Sequence, residues 1–355
     1  ISFNRKNNIC KKNSYHSVDV DDIWNWILKT IEICANKFQI SSLVVSGHGA
    51  TAALINKSNE DNGLALPIMD YEWEGLESIS TEYEAKRPSF DETFSPNLPA
   101  GLNLGRQIYW QQKHFPEKFN NAEALVMYPQ YWTWRLTGKL TSEVSSIGCH
   151  TDLWDPIKKN FSSLVDNENW SRLFPPFTKA WDVLDNISDE IADITGLDKS
   201  CKVHTGVHDS NASYLRFLLA KRNDNFCIVS TGTWVICMSN HKSLKSLNSS
   251  KDMLVNVNVE GSPVPCIRFM GGREYERICS IVGAENNQIV TRDDIKQIIS
   301  DRVMILPCFS EGNGPLGDNK PEIRGTPQSG AALATLYCAL MISFCLYELE
   351  AKGDV

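Results

Sequence analysis

Two short segments in the middle of the chain carry residue types suited to moving a proton and holding an anion. The first, residues 206–213, reads GVHDSNAS and places a histidine and an aspartate among small residues. The second, residues 227–233, is a β-rich run that ends in STGT. A carboxylate such as Asp209 can take a proton from a hydroxyl group within hydrogen-bond reach. Hydroxyl groups around a glycine can hold phosphate oxygens, because the backbone turns sharply there and exposes its N–H groups.

Both segments also have an ordinary structural interpretation. Asp209, with the serine and asparagine after it, suits the start of a helix, where such side chains accept backbone N–H groups. This capping role is compatible with action as a base. The STGT sequence also fits the turn of a β-hairpin between FCIVS and TWVICM. A short glycine motif does not decide between a hairpin turn and a phosphate-holding loop.

His48 stands between two glycines, directly after the apolar segment LVV at residues 43–45. That segment predicts a buried strand. A side chain that follows the strand would lie at the carboxyl end of a sheet, where α/β proteins bind ligands. A histidine that only satisfies its own turn explains the same pattern, and the sequence does not decide between the two.

An acidic pair follows in the segment PIMDYEWEG, where Asp70 and Glu72 stand two residues apart. Carboxylates are suitable acceptors for the hydroxyl groups of a sugar. The neighbouring Trp73, or Trp110 further along the chain, could cover the apolar face of a sugar ring. A solvated acidic loop is the alternative interpretation of this segment.

The segment FMGGREYER predicts a strand, a turn at Gly271 and Gly272, and the start of a helix. Helix N-termini favour anions, because their backbone N–H groups have no partner within the helix. The sequence contains no Walker A motif, no lysine–glutamate signature of protein kinases and no GxGxxG before a helix. These absences exclude the commonest phosphate-binding solutions but not others.

The elements that must position these residues predict a two-domain α/β protein. A chain of 355 residues exceeds the size at which one hydrophobic core stops growing. Helical patterns dominate up to about residue 200, including an amphipathic helix over 19–38 and a helix over 124–140 that is closed by Gly138. Short strands follow, so we expect a boundary near Lys221 and domains over 1–220 and 221–355.

Composition limits the partners and the compartment. A net charge of −8 argues against a nucleic-acid-binding surface. The eleven cysteines are scattered singly without a CxxC pair, which is typical of a reducing compartment and opposes a disulfide framework or a zinc site. No uninterrupted run of 18 apolar residues and no signal-peptide pattern occurs. The sequence therefore predicts a cytoplasmic protein without a membrane or nucleic-acid partner.

Four sets of sequence blocks, in this order, resemble the FGGY carbohydrate kinases, a family of the actin-like ATPase superfamily. The sequence block around Asp209 is most similar to that of rhamnulokinase- and fuculokinase-like members of the family. The blocks are SGHGATAALIN with LPIMDYE, LGRQIYWQQKHFPE with VMYPQYWTWRLTGK, GVHDSNAS with STGTW, and GGREYERI with GTPQSGAALATLYCAL.

The resemblance implies two ribonuclease-H-like domains with a cleft between them, ATP in the cleft, Mg²⁺, and phosphoryl transfer to a sugar hydroxyl. Dimers are common in the family, so a homodimer is a further expectation. Asp209 would be the general base. The sugar pocket would include His48, Asp70, Glu72, His208 and Asn211. The phosphate and nucleotide contacts would be Thr231, Gly232, Thr233 and Gly272, beside Gly271 of the same turn.

Two parts of the family pattern have no counterpart in this sequence. The family begins with a strand and an Asp-Ile-Gly-Thr-type phosphate loop that organises Mg²⁺, and nothing similar adjoins ISFNRKNN. Its glycine-rich adenosine motif would lie beyond Val355. The intact central blocks favour omitted segments over a truncated copy. No direct metal ligand is assigned.

Three functions remain open from the sequence. The first is an ATP-dependent kinase of a ketose or deoxy-ketose of the rhamnulose, fuculose or xylulose type, which needs the base Asp209. The second is a catalytically impaired sugar-binding or regulatory protein, favoured by the missing first phosphate loop. The third is a hydrolase of the same superfamily that uses Asp209 to activate water. ATP consumption with and without sugars separates the three.

Overall fold

The computed structural model describes residues 2–11, 14–59, 61–221, 224–351 and 355. The chain forms two compact units. The first contains Ile1–Leu218 and Asn256–Pro263, and the second contains Leu219–Val255 and Val264–Val355. The expected domain division near Lys221 stays a prediction.

The first unit consists of short strands and helices in alternation. Its strands are β1 (Ile9–Cys10), β2 (Ser17–Val18), β3 (Ser42–Leu43), β4 (Ser46–Gly47), β5 (Ala52–Ile55), β6 (Ala124–Met127), β7 (Trp154–Asp155), β8 (Asn160–Phe161), β9 (Val183–Asn186), β10 (Lys202–His204) and β11 (Val207–His208). Its α-helices are α1 (Val20–Ala35), α2 (Ser80–Glu84), α3 (Phe90–Thr93), α4 (Leu104–His114), α5 (Pro116–Asn120), α6 (Tyr128–Thr137), α7 (Val144–Ile147), α8 (Ser163–Asn167), α9 (Asp189–Thr195) and α10 (Asp209–Ala220). 3₁₀ helices cover Glu74–Ile79 and Ser171–Leu173.

Parallel pairing in the first unit places two chain segments side by side. Strand β10 runs parallel to β3 and antiparallel to β9, and β11 runs parallel to β4. The expected buried strand over 43–45 is wrong in part, because Val44 is 63% exposed and lies between β3 and β4. The carboxyl ends of β4 and β11 nevertheless meet, as α/β ligand sites require.

Local sequence explains where two of these helices begin and end. Asp19 caps α1 by accepting the backbone N–H of Asp22 at 3.2 Å. Helix α6 has proline in its first turn and ends at Gly138, whose φ of 75° is the left-handed conformation that glycine adopts readily. The predicted helix over 124–140 starts too early, because Ala124–Met127 forms the buried strand β6, paired with β5.

Two hydrophobic clusters form most of the core of the first unit. One surrounds Leu104 and Trp170, and the other surrounds Tyr131 and Val203. Val257, from the segment Asn256–Pro263, belongs to the first cluster and is fully buried. A Cβ atom at Gly148 would lie 2.5 Å from the Val257 side chain, so the glycine makes room for it.

The second unit is an antiparallel sheet with helices. Its strands are β12 (Cys227–Ser230), β13 (Val235–Ser239), β14 (Met253–Val257), β15 (Pro263–Phe269), β16 (Met304–Leu306) and β17 (Glu322–Arg324). The first four form a sheet in the order β12-β13-β15-β14, and β16 pairs with β17. Its α-helices are α11 (Gly271–Val282), α12 (Arg292–Ser300) and α13 (Gly330–Glu348), and 3₁₀ helices cover Leu244–Ser246 and Ser249–Lys251.

Helix α13 lies in the core of the second unit and packs against α11 and α12. Within the described residues it is long and apolar enough to cross a membrane by length and composition, although Thr335 and Ser343 interrupt its apolar run. Of its most apolar 18-residue stretch, 44% is buried inside the protein. A core helix of a soluble protein passes the same test, so the feature is weak evidence for a membrane.

Candidate active site

His208 and Asp209 lie side by side at the junction of β11 and α10. His208 is the last residue of β11, pairs with Gly47 of β4 and is 5% exposed. Asp209 is the first residue of α10, and its side chain is 52% exposed. The chain thus passes from a buried imidazole to an accessible carboxylate at the carboxyl end of two parallel strands.

The two oxygens of Asp209 have different surroundings. Oδ1 accepts the backbone N–H of Ser210 at 2.6 Å and lies 3.3 Å from the Ser210 hydroxyl. Oδ1 is also 3.4 Å from Nε2 of His208. Among the residues that the structure describes, none donates to Oδ2. This contact with the next residue differs from the N-cap contact expected from the sequence, because Asp209 is the first residue of α10 and not the residue before it. The other oxygen is left open.

His48 directly follows β4, and its ring packs against two tyrosine rings. Its ring centroid is 4.6 Å from that of Tyr128 and 5.4 Å from that of Tyr71. Nδ1 lies 2.9 Å from the carbonyl oxygen of Gly49. Since a carbonyl only accepts, Nδ1 carries a hydrogen and donates it, and Nε2 of a neutral ring is an acceptor.

The buried side chain of Gln107 fixes the loop after His48 by hydrogen bonds. Its Nε2 donates to the carbonyl oxygens of Ala50 and Gly101, both at 2.6 Å. Ala50 has a φ of 53°, which is unusual for a residue with a side chain. The buried amide therefore stabilises a loop conformation that the sequence alone does not favour.

The acidic segment lies within electrostatic range of Asp209. Oδ1 of Asp70 accepts the backbone N–H of Glu72 at 3.1 Å, and Glu72 is exposed. The pKa of the Tyr71 hydroxyl is raised by burial and then by the negative charges of Glu72, Asp70 and Asp209. Tyr71 thus joins the site. Sequence reasoning missed it, although it stands between the two acids that were singled out.

A layer of buried polar groups supports His208. Oγ of Ser145 accepts the backbone N–H of His208 at 3.4 Å. The amide nitrogen of Asn211 lies 3.3 Å from the Ser145 carbonyl oxygen and 3.2 Å from Nδ1 of His208. Sγ of Cys149 is 3.3 Å from the same Nδ1. Burial lowers the pKa of His208 to about 4, so the ring is neutral at neutral pH.

The supporting layer is itself anchored by Glu143, which is completely buried. Its carboxylate accepts the backbone N–H groups of Ser145 at 2.9 Å and Ser146 at 3.1 Å, and both serine hydroxyls as well. Burial raises the pKa of Glu143, and these four donors oppose that effect. No sequence pattern pointed to Glu143, because its partners become informative only once α7 is seen beside β11.

Trp110 lies in α4 and is 6% exposed. Its ring packs edge-on against Trp73 at 5.0 Å and Tyr15 at 5.4 Å, and it stacks on His114 at 4.1 Å. These contacts make it a member of the hydrophobic core. A role in covering a sugar ring stays a prediction.

The second unit brings its two predicted segments together through the backbone. Residues 231–233 are exposed and connect the antiparallel strands β12 and β13, so the hairpin interpretation of STGT is confirmed. The N–H of Gly272 lies 3.1 Å from the carbonyl oxygen of Gly232 and 3.2 Å from that of Thr233. A Cβ atom at Gly272 would lie 2.5 Å from the oxygen of Gly232, so only glycine permits this approach.

The hairpin interpretation and the phosphate-loop interpretation do not exclude each other. The turn of the hairpin exposes the hydroxyl groups of Thr231 and Thr233 beside the first turn of α11. Gly271 is packed, since a Cβ atom there would lie 2.4 Å from Val235. The described residues contain no group of three or more His, Cys, Asp or Glu side chains that could hold a metal ion.

Solved structures with the same fold define the class of protein. A carbohydrate kinase from Novosphingobium aromaticivorans superimposes with a TM-score of 0.88 at 32% identity, over 98% of this chain and 76% of that one. Glycerol kinase of Plasmodium falciparum, solved with ADP, shares the fold with a TM-score of 0.72 at 14% identity, over 99% and 74% of the two chains. The fold is the two-domain, ribonuclease-H-like fold of the actin-like ATPases, as expected from the sequence blocks.

Family models cover both units. Residues 3–215 match the N-terminal domain of the FGGY family of carbohydrate kinases, and residues 223–355 match the FGGY C-terminal domain. The chain belongs to the FGGY family of carbohydrate kinases. The probable L-xylulose kinase of Pasteurella multocida (strain Pm70) is 23% identical over 215 residues, which are 57% of this chain and 43% of that protein. The chain therefore spans less than half of the length of this curated relative.

Proposed function

We propose that the protein is an ATP-dependent sugar kinase in which Asp209 is the general base. The observation that carries the proposal is that the two oxygens of this carboxylate have different surroundings. Oδ1 is held by Ser210 at the start of α10, and Oδ2 is open at the carboxyl end of two parallel strands. An accessible oxygen on a fixed carboxylate is what removal of a proton from a bound hydroxyl requires.

The reaction follows from these positions. As the sugar oxygen attacks the terminal phosphorus of ATP, its O–H bond breaks and the proton passes to Oδ2 of Asp209. The electron pair left on the sugar oxygen forms the new P–O bond, and ADP leaves with the pair of the broken bond. Charge spreads over the phosphoryl oxygens in the transition state, so positioning and donors directed at these oxygens supply most of the catalysis.

The first unit would bind the sugar through side chains of complementary character. Nε2 of His48 would accept a hydrogen bond from a sugar hydroxyl group, because Nδ1 donates to the carbonyl oxygen of Gly49. The carboxylates of Asp70 and Glu72 would accept hydrogen bonds from other sugar hydroxyl groups. Tyr71 is a further candidate, since its ring contacts His48. The remaining proposed sugar-binding residues are His208, Asn211 and Trp110.

The second unit would hold the nucleotide phosphates. The hydroxyl groups of Thr231 and Thr233 and the backbone at Gly232 would contact the transferred phosphoryl group. Gly271 and Gly272 would lie near the nucleotide, where the positive end of the α11 dipole favours an anion. The exposure of residues 231–233 supports this assignment.

Mg²⁺ would supply neutralisation of the phosphate charge. The ion usually binds through phosphate oxygens and water and needs few protein ligands. The described residues contain no group of three or more metal-ligating side chains, so no residue is proposed as a direct ligand of the ion.

The names of relatives guide the choice of substrate. The matched curated protein is named as a probable L-xylulose kinase, and several structures of the same fold are of xylulose kinases. These names favour a ketose of the xylulose type. The resemblance of the segment around Asp209 to rhamnulokinase- and fuculokinase-like members adds a deoxy-ketose of the rhamnulose or fuculose type as a candidate. We also propose a cytoplasmic protein that can form a homodimer.

ATP consumption measured with and without a panel of ketoses and deoxy-ketoses tests the function. We expect ATP consumption that depends on one class of sugar and yields the sugar phosphate in equal amount. Sugar binding without ATP consumption would indicate a non-catalytic binding protein. Sugar-independent ATP consumption would indicate a hydrolase, and either result would refute the proposal.

A further inference from the structure

The orientation of the Asn211 amide is set by a backbone group. Its Nδ2 lies 3.3 Å from the carbonyl oxygen of Ser145, and the residue is 4% exposed. A carbonyl oxygen can only accept a hydrogen bond, so the NH₂ end of the amide must face it. The amide therefore presents donors, not an acceptor, to this interior region.

The same NH₂ group faces the buried imidazole. Nδ2 of Asn211 is 3.2 Å from Nδ1 of His208. An amide nitrogen has no acceptor capacity, so Nδ1 must be the acceptor of this hydrogen bond. A thiol is also a weak donor, and Sγ of Cys149 lies 3.3 Å from Nδ1. A hydrogen on Nδ1 would point at the NH₂ group of Asn211, which cannot accept it.

The other ring nitrogen faces the catalytic carboxylate. A neutral imidazole with an accepting Nδ1 carries its hydrogen on Nε2. Nε2 lies 3.4 Å from Oδ1 of Asp209. Gly49 closes the remaining side, since a Cβ atom there would lie 2.9 Å from Nε2. The hydrogen on Nε2 therefore faces the carboxylate of Asp209 in an electrostatic contact that is longer than a normal hydrogen bond, and the ring has little room to turn away.

We propose that Asn211 is a positioning residue that holds His208 as the neutral tautomer protonated at Nε2, whose N–H then orients Asp209 through Oδ1 and leaves Oδ2 to accept the substrate proton. This role rests on the proposed function, because it acts through the general base. His208 keeps its proton throughout the reaction. It differs from a simple lining of the sugar pocket, since the contact is made without substrate.

The tautomer can be measured directly on the full chain without substrate. Long-range ¹H–¹⁵N correlation spectra of protein labelled at its histidines distinguish a protonated from an unprotonated ring nitrogen. His208→Gln identifies the His208 signals among those of the seven histidines. We expect an unprotonated Nδ1 and a protonated Nε2. A hydrogen on Nδ1, or averaging between the two forms, would overturn the proposal.

Two nearly isosteric changes at Asn211 and Cys149 separate the tautomer from the packing. Asn211→Asp replaces the donor with an acceptor, so we expect the proton to move to Nδ1 and kcat to fall ~10-fold or more, as a wrong tautomer does in other histidine-dependent enzymes. Cys149→Ser keeps a donor and should preserve the tautomer. Asn186→Asp, an exposed change in the same unit, is the matched control and should change neither signal.

The kinetic and spectroscopic results remain separable. An Asn211→Asp protein with the shifted proton and the parental kcat would refute the positioning role while the kinase assignment stands. A parental protein with the expected tautomer and no sugar-dependent ATP consumption would refute the kinase assignment, and with it the catalytic meaning of the tautomer. If Asn211→Asp does not fold, the spectrum of the parental protein still decides the tautomer.

Discussion

The two candidate regions differ in the groups that form them, since one is formed by side chains and the other by the backbone. In the first unit, the site around Asp209 consists of side chains that are oriented by other buried side chains, from Glu143 through Ser145 to Asn211 and His208. In the second unit, the hairpin turn and the start of α11 meet through backbone atoms, with Gly272 in contact with Gly232 and Thr233.

The two regions should therefore respond differently to substitution. A site of oriented side chains depends on which atoms donate and accept, so a change of one atom type should be costly even when shape is preserved. A backbone contact depends on space, so the addition of a single methyl group should be costly.

Asp209→Asn preserves shape but removes the base. We expect kcat to fall about 10²–10⁴-fold, the usual contribution of a general base, with little change in sugar affinity. Steady-state kinetics and calorimetric titration with sugar measure the two quantities. Asp193→Asn, at an exposed carboxylate of the same unit, is the control. A parental rate in Asp209→Asn would remove the base assignment.

The buried, neutral His208 should make the stability of the protein depend on pH. Its pKa is about 4 in the folded chain and near 6.5 when unfolded. Between these values the unfolded state binds more protons, so the free energy of unfolding falls as pH decreases from 6.5 to 4, by up to ~3 kcal/mol from this group. Above pH 6.5 the ring is neutral in both the folded and the unfolded state, so this part of the free energy of unfolding is fully present.

Urea unfolding at several pH values between about 7 and 4 measures this contribution. His208→Gln should show a shallower loss of stability than the parental protein over this range. His204→Gln, which removes a surface histidine of the same unit, should keep the parental slope. Equal slopes in the parental and His208→Gln proteins would contradict a neutral buried ring.

Gly272→Ala tests the backbone contact of the second unit. The added Cβ would meet the oxygen of Gly232 at 2.5 Å, so one backbone must shift. We expect a loss of about 1–3 kcal/mol in unfolding free energy and a raised KM for ATP. Gly232→Ala is the matched control for stability, because its Cβ would meet no atom closer than 3.7 Å. Equal stability of the two variants would contradict the contact.

Thr233→Val removes one hydroxyl at nearly constant shape. If this hydroxyl contacts a phosphate, we expect a several-fold rise in KM for ATP or fall in kcat, consistent with about 1 kcal/mol for one hydrogen bond. Sugar affinity should not change. Thr326→Val, at another exposed threonine of the unit, is the control. Unchanged ATP kinetics in Thr233→Val would count against the phosphate assignment.

The sequence was most informative where neighbouring residues act together. His208, Asp209 and Asn211 occupy one strand–helix junction, so their types and spacing already indicate a turn that carries a candidate base. The succession of a strand and a helix around Gly271 and Gly272 is also predicted, although the two glycines belong to the first turn of α11 and not to a turn before it. Both are local features, and local features can be deduced from a single sequence.

The sequence could not predict which distant groups complete these junctions. Glu143, Cys149 and Gln107 are polar or thiol side chains without a local pattern, and only the folded chain brings them to the loops they hold. The wrong assignment of Val44 to a buried strand has a similar cause. An apolar run reports burial on average, whereas exposure of one residue depends on which neighbours cover it.

The membership of Asn256–Pro263 in the first unit has a consequence for biosynthesis. Val257 fills the space beside Gly148, yet the ribosome makes it roughly forty residues after Leu218, a delay of a few seconds at ~5–20 residues per second. Until then the nascent first unit lacks one of its own interior side chains. A polypeptide that ended at Lys221 would never acquire it, so the first unit should not reach its complete core as an independent piece.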